Sequence, residues 1–309
     1  MREESQTLFP VEPLRDEVTI YHDETKEAFG KNIWGHGLLF VPERTKASLL
    51  SDLQAARDKT NYQGKLHFAD ISESVYIPKY NCTKKWIEIG VEYLKRKKGC
   101  KLGVIFFDKA SINSDFYSGN KKEKILKSVE TVLRMVLKGS VHYLYNRGWQ
   151  VKINGIITDG EPWHRNLDES RILDRLIPEV RDYVEILPGA KIKCVFSNHQ
   201  DKRCEDTNSA HLLQLTDLLM GSVIQSYFRE LKIGTKKEIL VRPVREMLDK
   251  RRRGRRFQKS SHYMSFTVSS VKVTGDNWNF EPLNLQKVII NDDGQLSLTF
   301  NNKEYYETD

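Results

Sequence analysis

The sequence is short of the residues that build several common protein classes. Its four cysteines (Cys82, Cys100, Cys194 and Cys204) stand singly among 309 residues, with no pair at metal-ligand spacing. They read as reduced thiols of a cytoplasmic protein, not as a disulfide framework or a zinc finger. No run approaches the roughly 18 apolar residues of a spanning helix, so no membrane association is expected. Residues 1–10 are polar and acidic and lack the charged-then-apolar pattern of a secretory signal. The eight histidines are dispersed, which argues against His-rich zinc spacing. There is no glycine-rich loop leading into Lys-Ser or Lys-Thr, and no Gly-x-Ser-x-Gly elbow. Nucleotide hydrolysis of the P-loop kind and serine-hydrolase chemistry are therefore poor readings.

What remains is enough apolar material for a core, 39% hydrophobic against 30% charged. The length suits one large domain or two ordinary ones. Charge is unevenly placed. Residues 232–259 hold twelve Lys or Arg against Glu238, Glu246 and Asp249, a net of +9 in a chain whose total is +8. At the centre of this tract lie Lys250, Arg251, Arg252, Arg253, Arg255 and Arg256. Such a block repels itself unless a polyanion or acidic surface neutralises it. Contact with a nucleic-acid backbone is the functional reading, and a solvated basic linker is the other. Residues 260–309 read as a small β-rich appendage of net charge −4, with Asn291-Asp292-Asp293-Gly294 as a hairpin turn.

Between residues 18 and 230 strands and helices alternate. Strands are expected at Val18–Asp23, Ile33–Val41, Leu102–Asp108, Val151–Asp159 and Ile192–Phe196, with a short one at Lys65–Ile71. Helical spacing marks Glu43–Lys59, Trp86–Lys98, Lys121–Leu137, Leu167–Ile177 and Ser209–Arg229. With residues 43–98 set aside as a helical insertion after the second strand, the order is β-β-β-α-β-α-β-α. That alternation predicts an α/β mixed sheet flanked by helices. Three of its strands end in aspartate, at the edge where ligands usually bind such sheets.

The helix over Ser209–Gln225 is apolar nearly all round and hence a buried one. Within it Asp217 shares a side with Gln214 and His211. A lone ionised carboxylate on a buried helix costs several kcal/mol unless paired, protonated or bound to a cation. Asp217 is therefore salt-bridged to a core arginine, caps a neighbouring loop, or is a metal ligand. Asp23 closes the first strand, and Glu24 beside it reaches the same ion only if the strand stops there, since neighbouring strand residues face opposite ways. Asp159 ends Ile156-Ile157-Thr158-Asp159-Gly160-Glu161. Carboxylates from two strand ends and one helix suit a hard cation such as Mg²⁺ or Mn²⁺.

Two stretches carry a family resemblance. Tyr21-His22-Asp23-Glu24-Thr25 and His211-Leu212-Leu213-Gln214-Leu215-Thr216-Asp217-Leu218-Leu219-Met220-Gly221-Ser222 resemble the domain-of-unknown-function 3800 (DUF-3800) family. That family is similar in fold to the ribonuclease H-like superfamily. The resemblance spans Val18–Arg229 and implies a metal-dependent nuclease in a mobile-element or antiviral-defence setting. It implies catalytic, metal-holding acids at Asp23, Asp159 and Asp217; the residues themselves offer Glu24 as a further catalytic oxygen ligand. Gln214, His211 and His67 are read as orienting substrate or ligands, and the arginine cluster as gripping backbone. Thr25-Lys26 stands where the family has Ser-Gly, and Thr216 where it has Ala. DNA or RNA is the expected partner, with a partner protein or a homodimer beside it. A non-catalytic binding module retaining the fold is the alternative.

Overall fold

The computed structural model describes residues 14–25, 33–96, 98–108, 118–145, 149–160, 164–176, 184–254, 265–274, 277–281, 283, 285 and 288–289. The protein is built on a seven-stranded mixed sheet in the order β5-β4-β1-β2-β3-β7-β8. Its strands are β1 (Leu14–Thr25), β2 (Ile33–Pro42), β3 (Lys101–Asp108), β4 (Trp149–Asp159), β5 (Val184–Val195), β7 (Phe266–Thr274) and β8 (Asn277–Glu281). A separate short pair joins β6 (Leu231–Lys232) to β9 (Val288–Ile289). The first three strands run antiparallel as neighbours, whereas β4 and β5 return parallel to β1. This is the mixed α/β sheet flanked by helices that the alternation predicts.

Both faces of the sheet are covered, which is why β3 reads as one apolar run instead of alternating. On one face lie α1 (Glu43–Thr60), α2 (Ile77–Lys95), α4 (Thr207–Phe228) and α5 (Lys236–Gly254). They share a core with Tyr21, Leu39, Val104, Phe106 and Ile157. On the other face α3 (Lys121–Leu144) packs Val129, Val132, Leu133, Val136 and Leu137 over Ile20, Leu38, Phe40 and Ile153. A capping box of Asn120 and Glu123 starts α3. Helix α4 is buried along almost its whole length, as its composition requires. Each fully buried leucine on it contributes up to about 1.5–3 kcal/mol.

Parallel β1, β4 and β5 bring their C-terminal ends to the same edge. His22 lies opposite Thr158, and Asp159 opposite Val195. Asp23 and Asp159 are thereby set side by side before any side chain is considered.

Three expectations need correction. Lys65–Ile71 is not a strand but a loop with one 3-10 turn at Phe68–Asp70. The amides of Leu66 and Phe68 donate to the Gln214 and Asp217 side chains, so they have no strand partner. The tract at 232–259 is not a linker throughout: from Lys236 it forms α5, in keeping with the helical pattern around Ile239–Leu248, and buries Leu240, Val241, Val244, Met247 and Leu248. The β-rich C-terminal region is not a detached appendage. Within it β7 pairs in parallel with β3 and extends the main sheet. The predicted turn at Asn291–Gly294 lies outside the described residues.

Candidate active site

A cavity of about 530 Å³ opens at the strand-end edge of the sheet. Asp23 (β1), Asp159 (β4) and Asp217 (α4) all line it. The three acids are close enough to feel one another. Burial first, then the negative charges of Asp217 and Asp159, hold the Asp23 carboxyl well above the ordinary carboxylate range. Burial also raises Asp217, against the opposing pull of His67, the Phe68 amide and Lys65. Two raised carboxyls in one cleft mark a place that favours a proton or a cation.

Asp159 and Asp217 are held by named partners. Asp159 Oδ1 accepts from the Gly160 amide (2.7 Å) and the Ser197 amide (3.1 Å), and Oδ2 accepts from Ser197 Oγ (2.9 Å). Asp217 Oδ2 accepts from the Phe68 amide (2.7 Å), and Oδ1 lies 3.9 Å from His67 Nε2. His67 thus sits on the cavity beside Asp217, with Lys65 near it. Gly221 lines the cavity one turn beyond Asp217, where a Cβ would fall 2.3 Å from Phe68 Cγ. Glycine there lets the Phe68 loop close onto the helix.

Gln214 also lines the cavity, but its amide is fully engaged in joining three segments. Its Oε1 accepts from Arg57 Nη2 and from the Leu66 amide, both at 2.9 Å. Its Nε2 donates to the Ser197 carbonyl (2.5 Å) and meets His199 Nδ1 at 3.1 Å. Gln214 therefore orients the loops that carry Ser197 and His67 instead of reaching into the cavity for substrate. The structure does not bring His211 into the cavity. It lies two turns back, against Trp86 and His199.

Glu24 also lines the cavity, but its carboxylate is taken up by buried histidines instead of joining the three aspartates. The strand stays regular through Thr25, so Glu24 turns to the α3 face. Its carboxylate, 3% exposed, lies 3.5 Å from His164 Nε2 and 4.0 Å from His36 Nε2. Burial would raise its pKa, but the His164 hydrogen bond and the nearby imidazoles bring it down to about 2. Behind it runs a buried chain of polar groups. His36 Nδ1 and His22 Nε2 share a hydrogen bond of 2.9 Å, and His22 Nδ1 meets Thr158 Oγ1 at 3.3 Å. Thr158 Oγ1 meets His164 Nδ1 at 2.8 Å, and that nitrogen also lies 2.7 Å from the Asp159 carbonyl. The chain ties β1, β2 and β4 together directly behind Asp23 and Asp159.

Several of these groups escape sequence reasoning. Ser197 is 38 residues from Asp159 in sequence, and Arg57 looks like one more surface charge on an amphipathic helix. Arg57 is in fact fully buried, its guanidinium 4.5 Å above the Trp86 ring and bonded to Gln214 and the Gly64 carbonyl. The alternating His22-x-Glu24 against His36 is the one signal that a polar cluster lies on the α3 face.

From the basic tract, Lys237 reaches the acid cavity, as does Arg229 just before it. The side chains of Lys250, Arg251, Arg252 and Arg253 are not among those described, and Arg255 and Arg256 lie outside the described residues. The three aspartates supply only oxygen donors, the chemistry of Mg²⁺ or Mn²⁺. A divalent cation would relieve the repulsion that raises Asp23 and Asp217. Among the described residues, no three His, Cys, Asp or Glu side chains already converge as a finished metal cluster. The three carboxylates suit such an ion in donor type but do not, as placed, form its complete site, and waters would have to fill the shell. Among the described residues no helix is long and apolar enough to cross a membrane.

No protein-family model and no curated protein matches the chain. Among solved structures it is similar to the PCNA:RNase HII complex from Archaeoglobus fulgidus, at 10% identity over 81% of this chain and 82% of that one. The TM-score is 0.26, a likeness too slight to carry any argument about activity. The case for function therefore rests on the cavity itself.

Proposed function

We propose that this protein is a divalent-metal-dependent nuclease that hydrolyses phosphodiester bonds of DNA or RNA. The observation that carries the reading is that Asp23, Asp159 and Asp217 line one cleft, with the Asp23 and Asp217 carboxyls raised by burial and by neighbouring acids. These three would hold Mg²⁺ or Mn²⁺. Such an ion, when bound, neutralises charge on a phosphoryl oxygen and makes water a stronger nucleophile at neutral pH. The chain's own residues supply orientation and charge. Ser197 fixes both oxygens of Asp159, and the Phe68 amide fixes one oxygen of Asp217, so neither carboxylate is free to swing. Lys65 and Lys237 at the cavity wall attract a phosphate without reading a base. The resemblance to DUF-3800 supports the same acids and suggests mobile-element or antiviral defence, with a partner protein or a second copy of the chain.

The test is incubation of purified protein with end-labelled single- and double-stranded DNA, RNA and RNA–DNA hybrid. Each is run with Mn²⁺, Mg²⁺ or EDTA, beside Asp217→Asn. Cleavage of at least one substrate is expected with metal, none with EDTA, and a loss of about 100-fold or more in the variant. A folded protein that cleaves nothing but still binds nucleic acid would replace this reading with that of a binding module.

A further inference from the structure

A second and larger cleft, of about 870 Å³, lies beside the acid cavity on the same face of the sheet. Its floor is the β4–β5 edge, where Gly155 pairs with Lys191 and Ile157 with Lys193. Its far wall is the start of α4 and the loop before it, and Lys46 of α1 borders it. Paired residues share a face, so Lys191 and Lys193 project on the side that Asp159 occupies two residues further along β4. Both lysines are exposed, as is Arg165 at the cleft margin, and none of the three has a carboxylate partner among the described residues. Arg203 also lines the cleft but is held bidentately by Asp201, and Glu205 and Asp206 line the opposite wall. Asp206 caps α4 through the Ser209 amide and hydroxyl, so its charge is already engaged.

Phe196 lines this cleft, and its neighbour Ser197 lines the acid cavity. A Cβ on Gly160 would lie 3.1 Å from its ring, so the ring abuts the turn that carries Asp159. The next residue, Ser197, holds that aspartate. The guanidinium carbons of Arg203 and Arg165 lie 4.2 and 5.3 Å from the Phe196 ring centroid. A half-buried aromatic under two arginines, beside a row of lysines, is the combination that binds a single strand by stacking and charge. Lys191 and Lys193 are spaced by about 6.6–6.8 Å along the strand, close to the phosphate-to-phosphate step of an extended nucleic-acid strand.

We propose that this cleft is a single-strand track, in which Lys191, Lys193 and Arg165 take successive phosphates and Phe196 stacks one base next to the acid cavity. The proposal rests on the nuclease reading for the direction of the strand, which would run along β4–β5 to Asp159. The substrate is then a polymer gripped for several nucleotides on one side of the cut, not a mononucleotide.

The test is anisotropy of a fluorescent twelve-nucleotide single strand on the full chain in EDTA, repeated across about 50–200 mM salt. Lys191→Gln/Lys193→Gln should lower the log–log salt slope by about 1.4, near 0.7 for each phosphate no longer neutralised. Lys121→Gln/Lys122→Gln, which removes two exposed charges at the start of α3, should leave the slope unchanged. Phe196→Leu should weaken binding about 5- to 150-fold, with Phe196→Trp restoring it. A slope that falls equally in both lysine pairs, or binding indifferent to the ring at 196, overturns the track. Because binding is read without metal, failure of cleavage alone counts against the nuclease and not the track. Cleavage with track-independent binding counts against the track and not the nuclease.

Discussion

His211 offers a prediction whose size follows from its surroundings. The side chain is 6% exposed, with its ring 5.6 Å from that of Trp86 and 4.7 Å from that of His199. Burial, followed by the positive charge of Arg57 and the influence of His199, lowers its pKa from 6.5 to about 3. A folded pKa below the unfolded one means that the unfolded chain takes up a proton which the native chain refuses. The native state accordingly loses stability as pH falls through 6.5 toward the folded value, and nothing is lost well above 6.5. Each unit below 6.5 costs about 1.4 kcal/mol, so from pH 7 to pH 5 His211 alone removes about 2 kcal/mol. Phe at this position keeps the ring contacts and cannot titrate. Urea unfolding of wild type and His211→Phe at both pH values should show the variant losing about 2 kcal/mol less. Equal losses in the two proteins would refute the buried neutral imidazole. Because the ring lies outside the acid cavity, cleavage at pH 7 should change little. A large fall in cleavage with unchanged stability would instead return His211 to the role of orienting substrate.

Other outcomes follow from the same geometry. Asp23→Asn should abolish cleavage yet raise stability by about 1–2 kcal/mol in thermal or urea unfolding, because it removes a buried charge repelled by Asp217 and Asp159. A destabilised variant would contradict that repulsion. Glu24→Gln should cost about 3 kcal/mol at pH 7, since the native carboxyl titrates near 2 against 4.5 when unfolded. That stability is present above 4.5 and is lost as pH falls toward 2, so the variant and wild type should converge in acid. Gln214→Leu should destabilise by about 2–4 kcal/mol and slow cleavage, because it strips the acceptor from buried Arg57 and the Leu66 amide. Gly221→Ala should cost about 1–3 kcal/mol by driving Phe68 off the helix. Weakened metal binding through the broken Phe68–Asp217 hydrogen bond should accompany it, read by Mn²⁺ titration.

The parts of the molecule legible in sequence are those governed by local pattern. Apolar periodicity locates the five strands of the inner sheet and the long helices, and a carboxylate stranded on an apolar helix singles out Asp217. Strand alternation also anticipates the parting of Asp23 from Glu24, although only the length of β1 decides it. What stays hidden depends on contacts between distant segments. The loop at Lys65–Ile71 has the composition of a strand, but its amides are claimed by α4 side chains nearly 150 residues away. The arginine-rich end of α5 stands out by charge alone, whereas the lysines beside Asp159 sit unobtrusively on β5. The sequence pattern makes that strand too short, because Pro188 and Gly189 look like a turn. Gly189 does take a positive φ of 85°, yet pairing with β4 resumes past it at Lys191.

The claim that three aspartates form one cation-holding centre is tested most directly by titrating Mn²⁺ into the protein and its variants, with free metal read by electron paramagnetic resonance. Asp23→Asn, Asp159→Asn and Asp217→Asn should each weaken the tightest binding by about tenfold or more, while Glu24→Gln leaves it within about twofold if folded. Wild-type affinity in all three aspartate variants, or loss confined to Glu24→Gln, would contradict the account.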